Sequence, residues 1–334
     1  MSPGEITLVT GAAGFIGFHL SLRLLREGVR VVAVDNLNSY YDPQLKLDRL
    51  ALLSPHPHFK FHELDLADRQ GVQRLVASAG AGLAIHLAGQ AGVRYSVTNP
   101  FAFVDSNLVG FANVLESCRQ TGVRHFLYAS SSSVYGAHLG PFATTLPADS
   151  PLSLYAATKR ANELMAYSYA HLFGLPVTGL RFFTVYGPWG RPDMAPALFA
   201  DAILNERPIN LYNHGQMRRD FTFIDDVVEA VARIRARPPS GSPPAAIYNV
   251  GNSEPVHLLT FVETLEACLG RSAKKNFLPM QPGDVVETSA DVSALERDFQ
   301  FKPATPLESG LRAFAGWYRT YYRLVPAAPV AGAV

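Results

Sequence analysis

Cysteine is scarce in this chain. Two residues, Cys118 and Cys268, among 334 cannot build a disulfide framework, which excludes the small stapled scaffolds. Each falls in a helix-like apolar stretch, the setting of a small buried hydrophobe. Excess charge is also missing. A formal net charge of +1 leaves no basic footprint for nucleic acid. No apolar run approaches the roughly 18 residues of a membrane span. The run Glu5-Ile-Thr-Leu-Val-Thr10 follows no charged and apolar leader of the secretory kind. These features predict a cytoplasmic protein with neither a nucleic-acid nor a membrane partner. The ten histidines are scattered and form no Cys/His cluster with ligand spacing, so no metal is expected. His86 lies in an apolar run and reads as a core residue.

What the chain does hold is apolar substance, 48% hydrophobic against 17% charged. That suffices for one large or two interlocked domains. Through the first half, β-branched runs alternate with amphipathic stretches. Strands are expected at 5–10, 29–35, 59–65, 83–88, 124–130 and 176–183. Helices are expected at 15–27, 43–53, 68–78, 99–121 and 154–173. Alternation of this kind predicts an α/β, doubly wound parallel sheet of Rossmann type. Near-continuous apolar runs such as Val29–Val34 suit strands covered on both faces. After about residue 184 the pattern breaks up, with helices expected at 195–206, 225–236, 257–269 and 305–323. We expect residues 1–183 to form the dinucleotide domain, with later segments returning to it. Residues 184–324 then form mainly a smaller α/β substrate-binding cap, and 325–334 a flexible Pro/Ala-rich tail.

Strand 5–10 runs into Gly11-Ala-Ala-Gly14-Phe-Ile-Gly17 and then a helix. Glycines at such a turn let a backbone approach a pyrophosphate, and the helix N-terminus supplies N–H donors. Gly11, Ala13, Gly14, Phe15, Ile16 and Gly17 are therefore candidate cofactor contacts, although the spacing is G-x-x-G-x-x-G. The second strand ends at Asp35, whose carboxylate suits the two hydroxyls of an adenosine ribose and repels a 2′-phosphate. Since Asn36-Leu37-Asn38 brings no Arg or Lys, NAD is expected over NADP. Asp65 reads either as a partner of the adenine amino group or as a helix N-cap. Leu87-Ala88-Gly89 is small enough for close approach of a ribose.

Tyr155 and Lys159 lie four apart in a helical stretch, which puts them on one face. A free phenol has a pKa of about 10. A neighbouring ammonium is expected to stabilise the phenolate and make it a usable base.

The glycine turn, the acidic strand end, the Tyr155/Lys159 pair and Ser130-Ser-Ser-Ser-Val-Tyr-Gly136 together resemble the extended short-chain dehydrogenase/reductase family. The likeness is to its nucleotide-sugar epimerases, over about residues 5–323. The resemblance implies that Ser131 joins Tyr155 and Lys159 as the catalytic triad. It adds Asn36, Asn38, Ser39, Leu66, Gln90 and Asn107 to the NAD contacts, and implies NAD that is tightly bound and recycled. Four segments narrow the likeness to enzymes acting on UDP-glucuronate: 35–43, 90–96, 181–194 and 280–288. They imply C4 epimerisation to UDP-galacturonate through a transient 4-keto sugar. Tyr212 is then expected on uracil, Arg219 on the diphosphate and Asp284 on the uridine ribose. That intermediate is a β-keto acid, so its carboxylate needs donors in fixed directions. Thr184, Ser132, Ser133, Arg94 and Arg191 are the candidates. Related decarboxylases carry a Glu where Ser132 and Ser133 stand, which favours epimerisation here. UDP-glucose 4-epimerase, UDP-glucuronate decarboxylase and a non-catalytic NAD sensor remain alternatives. The resemblance also implies a homodimer through helices 99–121 and 154–173.

Overall fold

The computed structural model describes residues 5–322 except Leu139, Pro282 and Gly283. The expected tail at 325–334 lies outside the described residues. The chain begins with β1 (Ile6–Thr10), α1 (Phe15–Arg26), β2 (Arg30–Asp35), α2 (Gln44–Leu53), β3 (Phe59–Glu63), α3 (Arg69–Ala79) and β4 (Leu83–His86). Three helical pieces follow, α4 (Tyr95–Thr98), α5 (Pro100–Phe103) and α6 (Gly110–Gln120). Then come β5 (His125–Ser131), α7 (Leu154–Phe173), β6 (Val177–Phe182) and β7 (Thr184–Tyr186). The remainder is α8 (Ala195–Leu204), β8 (Pro208–Leu211), β9 (Arg218–Phe223), α9 (Ile224–Ile234), β10 (Ala245–Val250) and β11 (Pro255–His257). After these come α10 (Leu258–Leu269), β12 (Lys274–Phe277), α11 (Ser293–Phe299) and α12 (Leu307–Tyr321).

Seven strands form one sheet in the order β10-β6-β5-β4-β1-β2-β3. Every pairing in it is parallel. The expected doubly wound sheet is therefore present. Adjacent residues on each strand feed opposite cores, as the pleat dictates. Val9, Ala33, Ile85 and Leu127 face one side. Leu8, Val34, Ala84 and Phe126 face the other. Burying a side chain of this size contributes roughly 1.5–3 kcal/mol. The first core continues without a break into the second half, through Phe221, Phe261 and Leu311.

Two expectations need correction. The helix expected over 99–121 is not continuous. Asn99 accepts from the Ala102 N–H, Pro100 opens α5, and residues Val104–Val109 form a wide π-helical turn. Such turns re-aim side chains, and here Asn107 is turned inward. The second half, expected to be α/β, holds its strands at positions that its pattern did not mark. A three-stranded sheet runs β11-β9-β7, and β12 pairs with β8. These strands have three to six residues, too short for a period-two signal to stand out. Strand β10 returns to the large sheet beside β6.

Candidate active site

The strand order reverses direction between β1 and β4, and ligands in open α/β sheets bind outside the carboxyl ends at such a point. A cavity of about 900 Å³ opens there, lined by Gly11, Asp35, Gly89, Ser131, Tyr155 and Arg191 among others. That is the upper range for small-molecule sites. Most of the residues expected to bind cofactor or substrate lie on its wall. Ala13, Ser39 and Asn107 do not. Ala13 is wholly buried and donates its N–H to Asp35 Oδ2 at 3.1 Å. Asn107 works from behind: its amide accepts from the Gln90 N–H at 2.7 Å and donates to the Gln90 carbonyl at 3.0 Å.

The glycine turn is packed to the limit. Gly11 has φ +71°, and a Cβ there would lie 2.6 Å from the Ala88 nitrogen. A Cβ on Gly17 would sit 2.1 Å from the Gly11 carbonyl oxygen. Gly14, at the N-cap of α1, brings no side chain over the helix end. A backbone cradle at a bare helix N-terminus suits a pyrophosphate, and Asp35 ends the adjacent strand. These residues accommodate a dinucleotide such as NAD.

The three residues after Asp35 bring no Arg or Lys, as expected. A cation does stand beside Asp35. Lys46, from α2, is buried, and its Nζ lies 4.0 Å from Asp35 Oδ1. It also donates to the Asn38 carbonyl at 2.8 Å. Its place eleven residues downstream hid it from a scan of the strand end. Asp65 bonds the Ala67 N–H and receives the Asn36 amide at 3.1 Å. The N-cap of α3 is Asp68 instead.

At the other end, Ser131 closes β5 and its hydroxyl accepts the Ser133 N–H at 3.2 Å. Tyr155 lies in the first turn of α7, whose N-cap Ser153 accepts the Ala156 N–H. Lys159 follows one turn later and donates to the Ala129 carbonyl at 3.0 Å. Burial lowers the Lys159 ammonium to about 8. Burial raises the Tyr155 phenol, and the groups that pull it back are the Ser131 hydroxyl and the Arg191 charge. The lowering expected at Tyr155 is therefore not met: burial outweighs both groups, and the Lys159 ammonium is bonded to a backbone carbonyl.

The chain matches the model of the NAD dependent epimerase/dehydratase family over residues 7–251. It belongs to that family. It is 49% identical to a probable UDP-glucuronate 4-epimerase of Rhizobium meliloti over 332 residues, covering 95% of this chain and 97% of the relative. An uncharacterized 37.6 kDa protein of Escherichia coli is 54% identical over 95% of this chain and 99% of its own. Among solved structures, UDP-glucuronic acid 4-epimerase from Bacillus cereus, in complex with UDP-glucuronic acid and NAD, superposes with a TM-score of 0.89. It is 33% identical and covers 95% of this chain and all of that one.

In this member of the family, the residues expected to bind substrate fall into two groups. Arg94, Tyr212 and Asp284 come together at the mouth: the Arg94 guanidinium lies 4.9 Å from the Tyr212 ring centre and 3.4 Å from Asp284. Arg94, expected as a carboxylate donor, thus stands beside two of the residues expected to bind the nucleotide. Arg219 donates to the carbonyls of Val285 and Val286 at 2.6 and 3.0 Å, which ties the segment after Asp284 to β9. Ser132, Ser133, Thr184 and Arg191 share the cavity wall with Tyr155. Arg191 forks onto Asp193 through Nε at 2.9 Å and through Nη2. The Tyr40 hydroxyl donates to the same carboxylate at 2.9 Å. Sequence reasoning missed Tyr40 and Asp193. Both lie inside segments that carried the resemblance, 35–43 and 181–194, but neither was singled out there.

Proposed function

We propose that this chain inverts C4 of UDP-glucuronate to give UDP-galacturonate, with NAD as a resident cofactor. The observation that carries this reading is the place of Arg191. A guanidinium with donors to spare for a carboxylate stands on the same wall as the Ser131–Tyr155 pair. A neutral hexose offers it no matching group. When bound, NAD supplies the reversible hydride acceptor that interconverts the C4 alcohol and its ketone.

The protein's share is proton transfer and positioning. Tyr155 takes the C4 hydroxyl proton and returns it, with Ser131 bridging. Lys159 holds the ribose of the nicotinamide half, and Asp35 the adenosine ribose. Gly11, Gly14 and Gly17 admit the pyrophosphate. Tyr212, Asp284 and Arg94 hold the nucleotide of the substrate, and Arg219 shapes that pocket by fixing residues 285–286. Ser132, Ser133, Thr184 and Arg191 hold the uronate carboxylate away from the geometry in which a β-keto acid loses CO2.

Two finer features belong to the same reading. Val97, Phe101, Leu164, Tyr167 and Leu172 are exposed on neighbouring helices α4, α5 and α7, an apolar face suited to a second copy of the chain. A homodimer is our reading of it. A cytoplasmic location agrees with two free cysteines, and no described helix is long and apolar enough to cross a membrane.

Proton NMR of UDP-glucuronate incubated with the purified protein tests the activity. UDP-galacturonate should accumulate without CO2. UDP-xylose or a pentos-4-ulose as the main product would replace our reading with decarboxylation. Tyr155→Phe should lower kcat by roughly 10²–10⁴.

A further inference from the structure

Arg191 is built to be held. Its guanidinium presents two edges to hydrogen-bond partners. The edge formed by Nε and Nη2 is committed to Asp193. The edge formed by Nη1 and Nη2 keeps the fork geometry that matches a second carboxylate. Asp193 is itself fixed. It receives the Tyr40 hydroxyl at 2.9 Å, and Tyr40 comes from the loop after β2, on the opposite wall. The Tyr40 ring packs on Tyr95, 4.6 Å between centres. A Cβ on Gly92 would meet the Tyr40 hydroxyl at 2.7 Å. The strap Tyr40–Asp193–Arg191 therefore joins the dinucleotide side of the cavity to the cap side. Burial favours protonating Asp193, but Arg191 and Tyr40 outweigh it, and the carboxyl stays below its usual range.

We infer that Asp193, held by Tyr40, is a positioning residue that anchors one edge of Arg191 so that the other edge meets the uronate carboxylate in a single direction. This inference rests on the activity proposed above and names what makes that activity clean. In the 4-keto intermediate the C5–carboxylate bond is one change of ring pucker from cleavage. When it breaks, its electron pair passes into the C4 carbonyl as an enolate, CO2 departs, and C5 takes a proton from solvent. The loss requires that bond to stand parallel to the carbonyl π system. An unanchored arginine follows the carboxylate through a range of ring puckers, because its long side chain keeps its rotamer freedom. An anchored one excludes the reactive pucker.

The test compares wild type, Asp193→Asn and Tyr40→Phe, each supplied with NAD and UDP-glucuronate labelled at C6. Epimerised product is followed by NMR and CO2 by released label. For wild type, UDP-galacturonate with little CO2 is the expected result. If wild type forms no UDP-galacturonate, the proposed activity falls, and the inference with it, before any variant is compared. Given an active wild type, Asp193→Asn should raise the fraction of turnovers ending in CO2 by about tenfold or more, as small misplacements of a reacting group do. Tyr40→Phe, which leaves the fork intact, should raise it by less. Slower turnover with an unchanged CO2 fraction in both variants overturns the inference, since it marks a merely structural role. A lower KM with an unchanged fraction overturns it too, because Asp193 would then only compete with substrate for Arg191. Should Asp193→Asn fail to fold by circular dichroism, the Tyr40→Phe fraction decides by the same criterion.

Discussion

Two arginine–carboxylate forks flank Tyr155, and they differ in what surrounds them. Under the carboxyl edge of the sheet, Arg181 of β6 grips Glu163 of α7 through Nε and Nη2, both at 2.8 Å. The two side chains are 3% and 1% exposed. Ser130 and Arg160 donate to the same carboxylate at 2.6 and 3.0 Å. On the cap side, Arg191 grips Asp193 with the same geometry, but the side chains are 22% and 26% exposed. The first fork is sealed into the joint between α7 and β6 and sets where Tyr155 and Ser131 stand. The second keeps an edge toward the cavity, where a ligand can use it. The difference is one of water. The Arg181–Glu163 fork is closed to water, and the Arg191–Asp193 fork borders the cavity.

Acid should break this contrast most visibly. His86 and His125 are each 2% exposed. Burial lowers His86 to about 3 and His125 to about 4. His214 and His257 of the second half are exposed. A folded-state pKa below the unfolded 6.5 means that the unfolded chain takes up protons first as pH falls. Stability contributed by keeping these rings neutral is complete above about pH 6.5 and declines toward pH 4. The slope is about 1.4 kcal/mol per pH unit for each ring. Urea midpoints between pH 7 and 4.5 should follow it, and His125→Gln should flatten the curve. A pH-independent midpoint would remove the contrast in burial.

Glu163→Gln comes next. It leaves the Arg181 guanidinium buried with an amide that cannot return the charge, a change that costs about 3–5 kcal/mol in buried pairs. Chemical denaturation measures it directly. A loss below about 1 kcal/mol would mean that water reaches this fork as well.

The sheet half was readable for a physical reason. Its inner strands are apolar on both faces, its turn needs glycines at Gly11 and Gly17, and Asp35 ends a strand. Each demand leaves a local mark. The cap leaves fewer. Strands β7, β8, β11 and β12 are held by partners distant in sequence, and three or four residues carry no period. Lys46 and Tyr40 reach the cavity only because α2 and the loop before it fold back over the end of β2. The role expected of Lys159 illustrates a different limit. Helical spacing correctly put it one turn from Tyr155, but spacing says nothing of direction, and the ammonium points to the Ala129 carbonyl. Burial dominates at the phenol, and the Ser131 hydroxyl and the Arg191 charge act against it.

The smallest effect sharpens the comparison most. Asp193→Asn removes the same kind of charge from the same kind of fork as Glu163→Gln does. Because water can replace the lost partner, its cost in stability should stay within about 1 kcal/mol, the range of solvent-accessible ion pairs. Thermal and urea unfolding of the two variants side by side measure the difference. Equal losses would show that the cap fork is a structural brace like the other. A loss at Glu163 several times larger would leave Asp193 almost free of duty in the fold. Its place beside Arg191 would then have to be explained by what happens in the cavity.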